Sequence, residues 1–169
     1  MRVAMIGSGY VGLVSGACFA DFGHDVCCVD KDPGKIEALN RGEMPIFEPG
    51  LADLVAKNVR AGRLSFATDI EEPVREADAV FIAVGTPSRR GDGHADLSYV
   101  YAAAQEIGEA LTGYKVIVTK STVPVGTGEQ TIRSTPSRSH AIAEPTMSAI
   151  ESRAPTSWKW TSSTAMPCT

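Results

Sequence analysis

Three glycines near the amino terminus have the spacing of a phosphate-binding turn. Gly7, Gly9 and Gly12 form the pattern Gly-x-Gly-x-x-Gly directly after the apolar run RVAMI, and Asp30 ends the next apolar run. In such a turn the first glycine allows a tight bend, the second lets the backbone approach a pyrophosphate, and the third lets the next helix lie close to the strand. The N–H groups at the start of that helix face the phosphates. The alternative is a glycine-rich turn with a purely structural role.

Asp30 favours NAD as the nucleotide of that site. Its carboxylate stands where it can accept hydrogen bonds from both ribose hydroxyls of a bound dinucleotide. The same negative charge repels a 2′-phosphate, which disfavours NADP. A glycine motif alone is weak evidence, but here an apolar run precedes it, a helical segment follows it, and an acid stands about twenty residues further on. We therefore predict a site for NAD.

Three further loops are expected at the ligand side of the sheet. VGTPS carries Thr86, and KSTVPVGTG carries Ser121 and Thr122, whose hydroxyl groups can face a cofactor. FEPG, residues 47–50, follows the second helix. The alternative for each loop is an ordinary turn whose hydroxyl groups bond to local backbone. SRRGDGH, residues 88–94, is interpreted as a flexible surface loop.

The elements that position these residues alternate between strands and helices over residues 1–130. Continuous apolar runs such as DAVFIAVG predict buried parallel strands, while Asp32 marks a helix start and Thr68 with Glu71 resembles a capping box. The pattern predicts an α/β fold, a Rossmann-type doubly wound parallel sheet that is incomplete after the fifth strand. Two helix faces are predicted, a small-residue face at Gly12, Gly16, Ala17 and Ala20 and an apolar stripe at Leu51, Leu54, Val55 and Val59.

The composition argues against several classes of partner. The 169 residues have a formal net charge of −4 and 21% charged residues, so we expect neither a nucleic-acid nor a membrane partner. No apolar run approaches the roughly 18 residues of a transmembrane helix. The four cysteines form no Cys-x-x-Cys pair, so we expect free thiols in the cytoplasm. His24 and His94 lack partners at metal-ligand spacing, and no metal site is predicted.

Four segments in order, MRVAMIGSGYVGL, FEPGL, VGTPS and KSTVPVGTG, resemble the NAD-binding domain of the UDP-glucose/GDP-mannose dehydrogenase family. The resemblance covers residues 1 to about 130 and is closer to the UDP-glucose branch. Lys35 also makes physical sense alone, because an ammonium group one turn into the second helix can reach the ribose beside Asp30. Besides the glycines, the resemblance implies that NAD is bound by Tyr10, Val11, Asp30, Lys35, Thr86 and Thr122.

The resemblance also implies an oxidoreductase activity in polysaccharide biosynthesis. Members of that branch oxidise UDP-glucose to UDP-glucuronate with two NAD and water. They use a cysteine nucleophile, which forms a thiohemiacetal and then a thioester, together with a lysine, an asparagine and a glutamate. The motifs that carry those four residues do not occur here, so we assign no catalytic residue. We expect this chain to be inactive alone, and both UDP-glucose binding and oligomer formation to require a full-length form.

Residues 131–169 differ abruptly in composition from the preceding part. They are rich in serine, threonine and proline and hold two isolated tryptophans, with no strand-like run. We predict a disordered tail after a 1–130 domain, either a genuine linker or the product of a shifted reading frame. Val116, Ile117 and Val118 of the fifth strand would then have an unpaired edge that invites aggregation.

Three functional hypotheses follow from the sequence. The first is the NAD-binding part of a dehydrogenase that oxidises UDP-glucose, truncated in this chain. The second is a dinucleotide-binding module without catalytic activity. The third is the cofactor half of another NAD-dependent dehydrogenase, of the hydroxyacid or 6-phosphogluconate type, which FEPGL and STVPVGT disfavour.

Overall fold

The computed structural model describes residues 1–89 and 94–128 and the backbone of residues 142–143. No helix in this part of the chain is long and apolar enough to span a bilayer. The strands are β1 (Arg2–Ile6), β2 (Asp25–Val29), β3 (Leu64–Ala67), β4 (Ala79–Ile82), β5 (Val116–Thr119) and β6 (Ile142–Ala143). The helices are α1 (Tyr10–Asp21), α2 (Pro33–Asn40), α3 (Leu51–Arg60), α4 (Glu71–Glu76) and α5 (Ser98–Ala110).

These strands form one sheet in the order β3-β2-β1-β4-β5-β6, and each neighbouring pair is parallel. The direction of winding reverses between β1 and β4. Open parallel sheets bind ligands at such a switch point, outside the carboxyl ends of the strands. The predicted Rossmann-type parallel sheet is therefore confirmed, and the glycine-rich turn that follows β1 lies at the switch point.

Both faces of the sheet are covered by helices, which explains why the strands are almost continuously apolar. One apolar cluster joins the sheet to α4 and α5, and the other joins it to α1, α2 and α3. The first includes Val80, Ile82, Val100, Ile107 and Ile117, and the second includes Met5, Leu13, Cys28, Leu39 and Val55.

Helix α1 lies close to the sheet through its small residues. Gly12, Gly16, Ala17 and Ala20 are all buried, as predicted. A Cβ atom added at Gly16 would lie only 2.6 Å from Sγ of Cys28 on β2. A larger residue there would require either the Cys28 side chain or the helix to shift, so the close approach of α1 to the sheet is favoured by a glycine at this position.

Carboxylates accept backbone hydrogen bonds at the starts of two helices. Asp32 Oδ1 accepts hydrogen bonds from two backbone N–H groups in the first turn of α2, at 3.0 and 3.3 Å, as predicted. The predicted capping box of Thr68 and Glu71 is wrong. Asp69 Oδ1 instead accepts from the backbone N–H of Glu71 at 2.9 Å, because an aspartate two residues ahead of an N–H group reaches it in a tight Asx turn.

The buried face of α3 differs from the predicted apolar stripe at one position. Val59 is 43% exposed, whereas Asn58 is fully buried. Asn58 Nδ2 donates to the Leu54 carbonyl at 2.9 Å, and Arg63 Nη2 donates to Asn58 Oδ1 at 2.9 Å. The hydrogen bonds offset the cost of burying a polar amide, and hydrophobic periodicity could not show this exchange.

Strand β6 lies within the segment that was predicted to be disordered. It pairs Ile142 with Ile117 and Ala143 with Val118, so the expectation of an unpaired edge on β5 is wrong at these positions. A strand of two residues has no hydrophobic period to detect, and pairing at a sheet edge uses backbone groups that every residue type carries. The remainder of the predicted tail lies outside the described residues.

Candidate nucleotide-binding site

The three glycines of the turn have different surroundings. Gly7 has φ +102°, and an added Cβ would lie 2.6 Å from the Ala83 carbonyl oxygen. A Cβ at Gly12 would lie 1.7 Å from the Gly7 carbonyl oxygen. An added Cβ at Gly9 would have no heavy atom within 4 Å. Gly7 and Gly12 are therefore required by the turn itself, whereas the lack of a side chain at Gly9 leaves open space beside the backbone.

Helix α1 begins immediately after that open space. Gly9 is its N-terminal cap and makes no side-chain hydrogen bond to the first turn, which also contains no acidic residue. The start of a helix carries backbone N–H groups without intrahelical partners and a partial positive charge. Together, the open space at Gly9 and this helix start suit the approach of a phosphate group.

Asp30 is held in place directly beside the turn. Its Oδ2 accepts hydrogen bonds from the Ser8 backbone N–H at 2.9 Å, the Ser8 hydroxyl at 3.0 Å and the Lys35 ammonium group at 2.7 Å. Its Oδ1 accepts from the Asp32 backbone N–H at 3.1 Å. Because three donors converge on Oδ2, Oδ1 is the oxygen with more remaining capacity to accept hydrogen bonds from a ligand.

The environment of Asp30 keeps its carboxylate charged. Partial burial favours the neutral acid, but the hydrogen bonds from Lys35, Ser8 and Asp32 outweigh it, so the pKa of Asp30 lies below its ordinary value of 3.8. The Lys35 ammonium group is also sheltered, with 28% of its side chain exposed against 14% for Asp30. The site therefore presents an ionised carboxylate that is locked in one orientation.

Ser8 is a site residue that the sequence reasoning missed. It is fully buried and ties the glycine-rich turn to the end of β2 through both of its bonds to Asp30. Its position between Gly7 and Gly9 was a usable signal, since a small polar residue in a phosphate-binding turn can reach the neighbouring strand end.

A cleft of about 670 Å³ opens over the carboxyl ends of β1, β2, β3 and β4. Its walls include the glycine-rich turn, the acidic end of β2, the loop after β3, the end of β4 and one face of α5. Lys31 and Glu106 form an ion pair that joins the loop after β2 to α5. The lining residues are Ile6, Gly7, Gly9, Val29, Asp30, Lys31, Asp32, Lys35, Thr68, Asp69, Ile70, Ala83, Val84, Gly85, Tyr99 and Glu106.

Five predicted site residues are not among the residues that line this cleft. Tyr10 and Val11 lie in the first turn of α1 and are 55% and 43% exposed, whereas Gly12 is buried behind them. Thr86 is half-buried in the loop after β4, and Thr122 is exposed in the loop after β5. Contact of these side chains with a cofactor therefore stays a prediction.

Two polar contacts connect segments that carry predicted site residues. The Tyr10 hydroxyl donates to Glu48 Oε2 at 2.6 Å, which connects α1 to the FEPG loop. That hydrogen bond, reinforced by the negative charge of Glu48, raises the pKa of the Tyr10 phenol. The Ser121 hydroxyl donates to the Val84 carbonyl at 2.8 Å. Ser121 therefore holds the loops after β4 and β5 together.

The thiols of Cys27 and Cys28 are not suited to nucleophilic catalysis. Burial raises the pKa of Cys28, which is fully enclosed by the core, and burial also raises the pKa of Cys27. A thiol is reactive as its thiolate, which these environments disfavour. Within residues 1–89 and 94–128, no group of three or more His, Cys, Asp or Glu side chains could hold a metal ion.

A doubly wound parallel sheet whose glycine-rich turn opens on a cleft beside a fixed carboxylate defines a dinucleotide-binding domain. The residues that surround the cleft suit such a ligand, with open space at Gly9 for phosphates and an ionised Asp30 for ribose. The chain belongs to the UDP-glucose/GDP-mannose dehydrogenase family, since the model of that family's NAD binding domain matches residues 1–150. Its cofactor is accordingly NAD.

Sequence similarity to UDP-glucose 6-dehydrogenases supports this assignment to the family. The chain is 70% identical over 133 residues to UDP-glucose 6-dehydrogenase of Rhizobium meliloti, covering 79% of this chain and 30% of that protein. It is 60% identical over 128 residues to UDP-glucose 6-dehydrogenase TuaD of Bacillus subtilis, covering 76% of this chain and 28% of that protein. The chain thus spans less than a third of the length of these relatives.

Solved structures show the same fold. A UDP-glucose dehydrogenase from Pyrobaculum islandicum has a TM-score of 0.80 at 41% identity, and a GDP-mannose dehydrogenase from Pseudomonas aeruginosa has a TM-score of 0.78 at 35% identity. Each alignment covers 85% of this chain and 35% of the solved chain.

Proposed function

We propose that this chain is the NAD-binding part of an enzyme that oxidises UDP-glucose to UDP-glucuronate. The 70% identity to a UDP-glucose 6-dehydrogenase supports the choice of UDP-glucose over other sugar nucleotides. The observation that carries the cofactor part is the cleft in which the open backbone at Gly9 and the fixed carboxylate of Asp30 lie together. Bound NAD would supply the hydride acceptor of the reaction. The residues described here would bind and orient it.

We assign roles to the site residues in this framework. Gly9 and the start of α1, with Tyr10 and Val11, hold the pyrophosphate. Asp30 and Lys35 hold the adenosine ribose, with Oδ1 of Asp30 accepting from its hydroxyl groups. The locked geometry of Asp30 supports this role, because a preorganised acceptor loses little entropy on binding.

Thr86 and Thr122 are assigned to the nicotinamide end of the cofactor. Both stand on loops after neighbouring strands, β4 and β5, at the carboxyl edge of the sheet, and the Ser121 hydroxyl bond to Val84 holds these loops together. Reduced thiols in the core suit a reducing compartment, and we place the protein in the cytoplasm.

Titration of NADH fluorescence against variants of Asp30 tests the cofactor site. Asp30→Ala should weaken NADH binding by about 5- to 150-fold, which corresponds to about 1–3 kcal/mol for ribose hydroxyls that lose their acceptor. Asp25→Ala is a matched control, because Asp25 lies on the same strand at its opposite end. Equal affinities of wild type and Asp30→Ala would remove Asp30 from the site.

The reaction itself requires more than this chain. We expect the 169-residue chain to bind NADH but to produce none from NAD and UDP-glucose, because it spans 30% of the relative's length and burial raises the pKa of its Cys27 and Cys28 thiols. Correct positioning of the reacting groups contributes roughly 7–11 kcal/mol to catalysis in favourable cases. Absorbance of NADH with purified chain is the assay, and steady turnover would contradict the proposal.

A further inference from the structure

The charges around the cleft are unusual in how they are paired. Its lining contains two ammonium groups, those of Lys31 and Lys35, against four carboxylates. Asp32 and Asp69 accept backbone N–H groups at the starts of α2 and α4, whereas the other two carboxylates each bind one lysine. Lys35 is paired with Asp30, and Lys31 is paired with Glu106. Both lysines in the lining that could bind an additional phosphate group of a ligand are therefore already paired with carboxylates.

The two pairs differ in accessibility. Lys35 and Asp30 are sheltered, and Asp30 also binds Ser8 and Asp32, so this pair belongs to the fixed part of the site. The Lys31 side chain is 72% exposed and its partner Glu106 is 35% exposed. Exposed ion pairs contribute little to stability, so the Lys31–Glu106 pair can be broken without damage to the fold.

Lys31 is also the residue directly after Asp30, at the end of β2. A carboxylate at this strand end meets the ribose 2′-hydroxyl of NAD, and nearby cations at the same place accommodate the 2′-phosphate of NADP. The lysine side chain is a flexible four-carbon stem with a point charge at its end. Without a partner on α5, its ammonium group could turn toward a phosphate at the 2′ position.

We propose that Glu106 is a specificity-determining residue, which holds the ammonium group of Lys31 on α5 and so denies the cleft a cation for the 2′-phosphate of NADP. The proposal rests on the proposed NAD site. Asp30 already repels the 2′-phosphate of NADP. Glu106, 76 residues further along the chain, would be a second residue that disfavours NADP. Specificity commonly combines favourable contacts to one ligand with unfavourable features toward its competitor.

The test compares NADH and NADPH binding to the full 169-residue chain by fluorescence titration at low salt. Glu106→Gln should reduce the preference for NADH over NADPH by about two- to fivefold, because one exposed charge pair contributes up to about 1 kcal/mol. Affinity for NADH should stay within about twofold of the wild type. Glu109→Gln is the matched control, because Glu109 lies on the same helix but does not line the cleft.

A double variant separates the role of Lys31 from a general loss of negative charge. In Lys31→Met/Glu106→Gln, the gain in NADPH binding should disappear, because the released cation is absent. A gain that persists in the double variant, or an unchanged preference in Glu106→Gln, would overturn the proposal while leaving NADH binding intact. Failure of the wild type to bind NADH would instead refute the proposed function, and this inference with it. Glu106→Ala, checked by circular dichroism, provides a second variant.

Discussion

A substitution at Gly9 should separate folding from cofactor binding in one residue. Gly9 has φ −75° and ψ −167°, an extended conformation that any residue adopts. An added Cβ would have no heavy atom within 4 Å. Gly9→Ala therefore introduces neither backbone strain nor a clash within the protein. If a pyrophosphate occupies that space, however, the same methyl group lies where the ligand must approach the backbone.

The expected effects on stability and on binding differ in size. A glycine replaced by alanine at a compatible position stabilises by about 0.4–1 kcal/mol, because the unfolded chain loses freedom. Gly9 is the N-terminal cap of α1, however, where alanine is less favourable than glycine by an amount of about the same size, so Tm should change by no more than about 4 °C. Forcing a methyl group into a close contact costs about 1–3 kcal/mol, so NADH affinity should fall by about 5- to 150-fold.

Thermal unfolding followed by circular dichroism, together with NADH fluorescence titration, checks both effects on the same samples. Gly12→Ala serves as the contrasting variant, because its Cβ would lie 1.7 Å from the Gly7 carbonyl oxygen. That clash with backbone should cost about 3 kcal/mol or more of stability. Unchanged NADH affinity in Gly9→Ala would show that the space beside Gly9 is not the phosphate site. A Tm that falls by much more than about 4 °C would show that the space beside Gly9 does not exist.

Two further predictions concern buried polar groups. Asp30→Asn should be less stable than wild type at neutral pH. The folded pKa of Asp30 lies below its ordinary value of 3.8, so the carboxylate stabilises the fold above that value. The contribution is lost as the pH falls through the lower folded pKa. Urea unfolding in steps from about pH 6 to pH 3 should show the difference shrinking with acid, and a constant difference would contradict the assigned pKa direction. Lys115→Met should lower the free energy of unfolding by about 1–3 kcal/mol without changing NADH affinity. The buried Lys115 ammonium group donates to the Arg75 and Ala77 carbonyls at 2.7 and 2.6 Å, at the end of α4 and far from the glycine-rich turn. Urea unfolding and NADH titration measure the two quantities, and an unchanged free energy of unfolding would mean that water replaces the lysine without cost.

Much of the fold could be predicted from sequence because its causes are local. Each strand is a short apolar run, and each helix has its own start and stop signals, so the alternation that defines a doubly wound sheet is visible along the chain. The different requirements at Gly7, Gly9 and Gly12 also follow from one turn between one strand and one helix. Asp30 could be found because the end of the second strand is a fixed position in this topology.

The predictions that failed depended on which hydrogen-bond partners form in the folded chain and, for β6, on a distant strand. Asn58 replaces Val59 on the buried face of α3 because Arg63 and the backbone of Leu54 satisfy its amide. Asp69 takes the capping role expected of Thr68, a choice between neighbouring polar residues that propensity does not resolve. Strand β6 is too short to carry a period and is defined only by the open edge of β5 beside it.

The sequence by itself therefore determined the order of elements, the glycine-rich turn and the acid that favours NAD, because each arises from residue type and short-range spacing. Only the tertiary structure decided which charges meet. Lys31 pairs with Glu106, and Tyr10 with Glu48, across 75 and 38 residues of chain. Such pairs form where the sheet and its helices bring surfaces together, and no local pattern marks them, since charged residues are common on every exposed face. The cleft is assembled from distant segments for the same reason, because parallel strands collect their carboxyl ends at one edge whatever their separation in sequence.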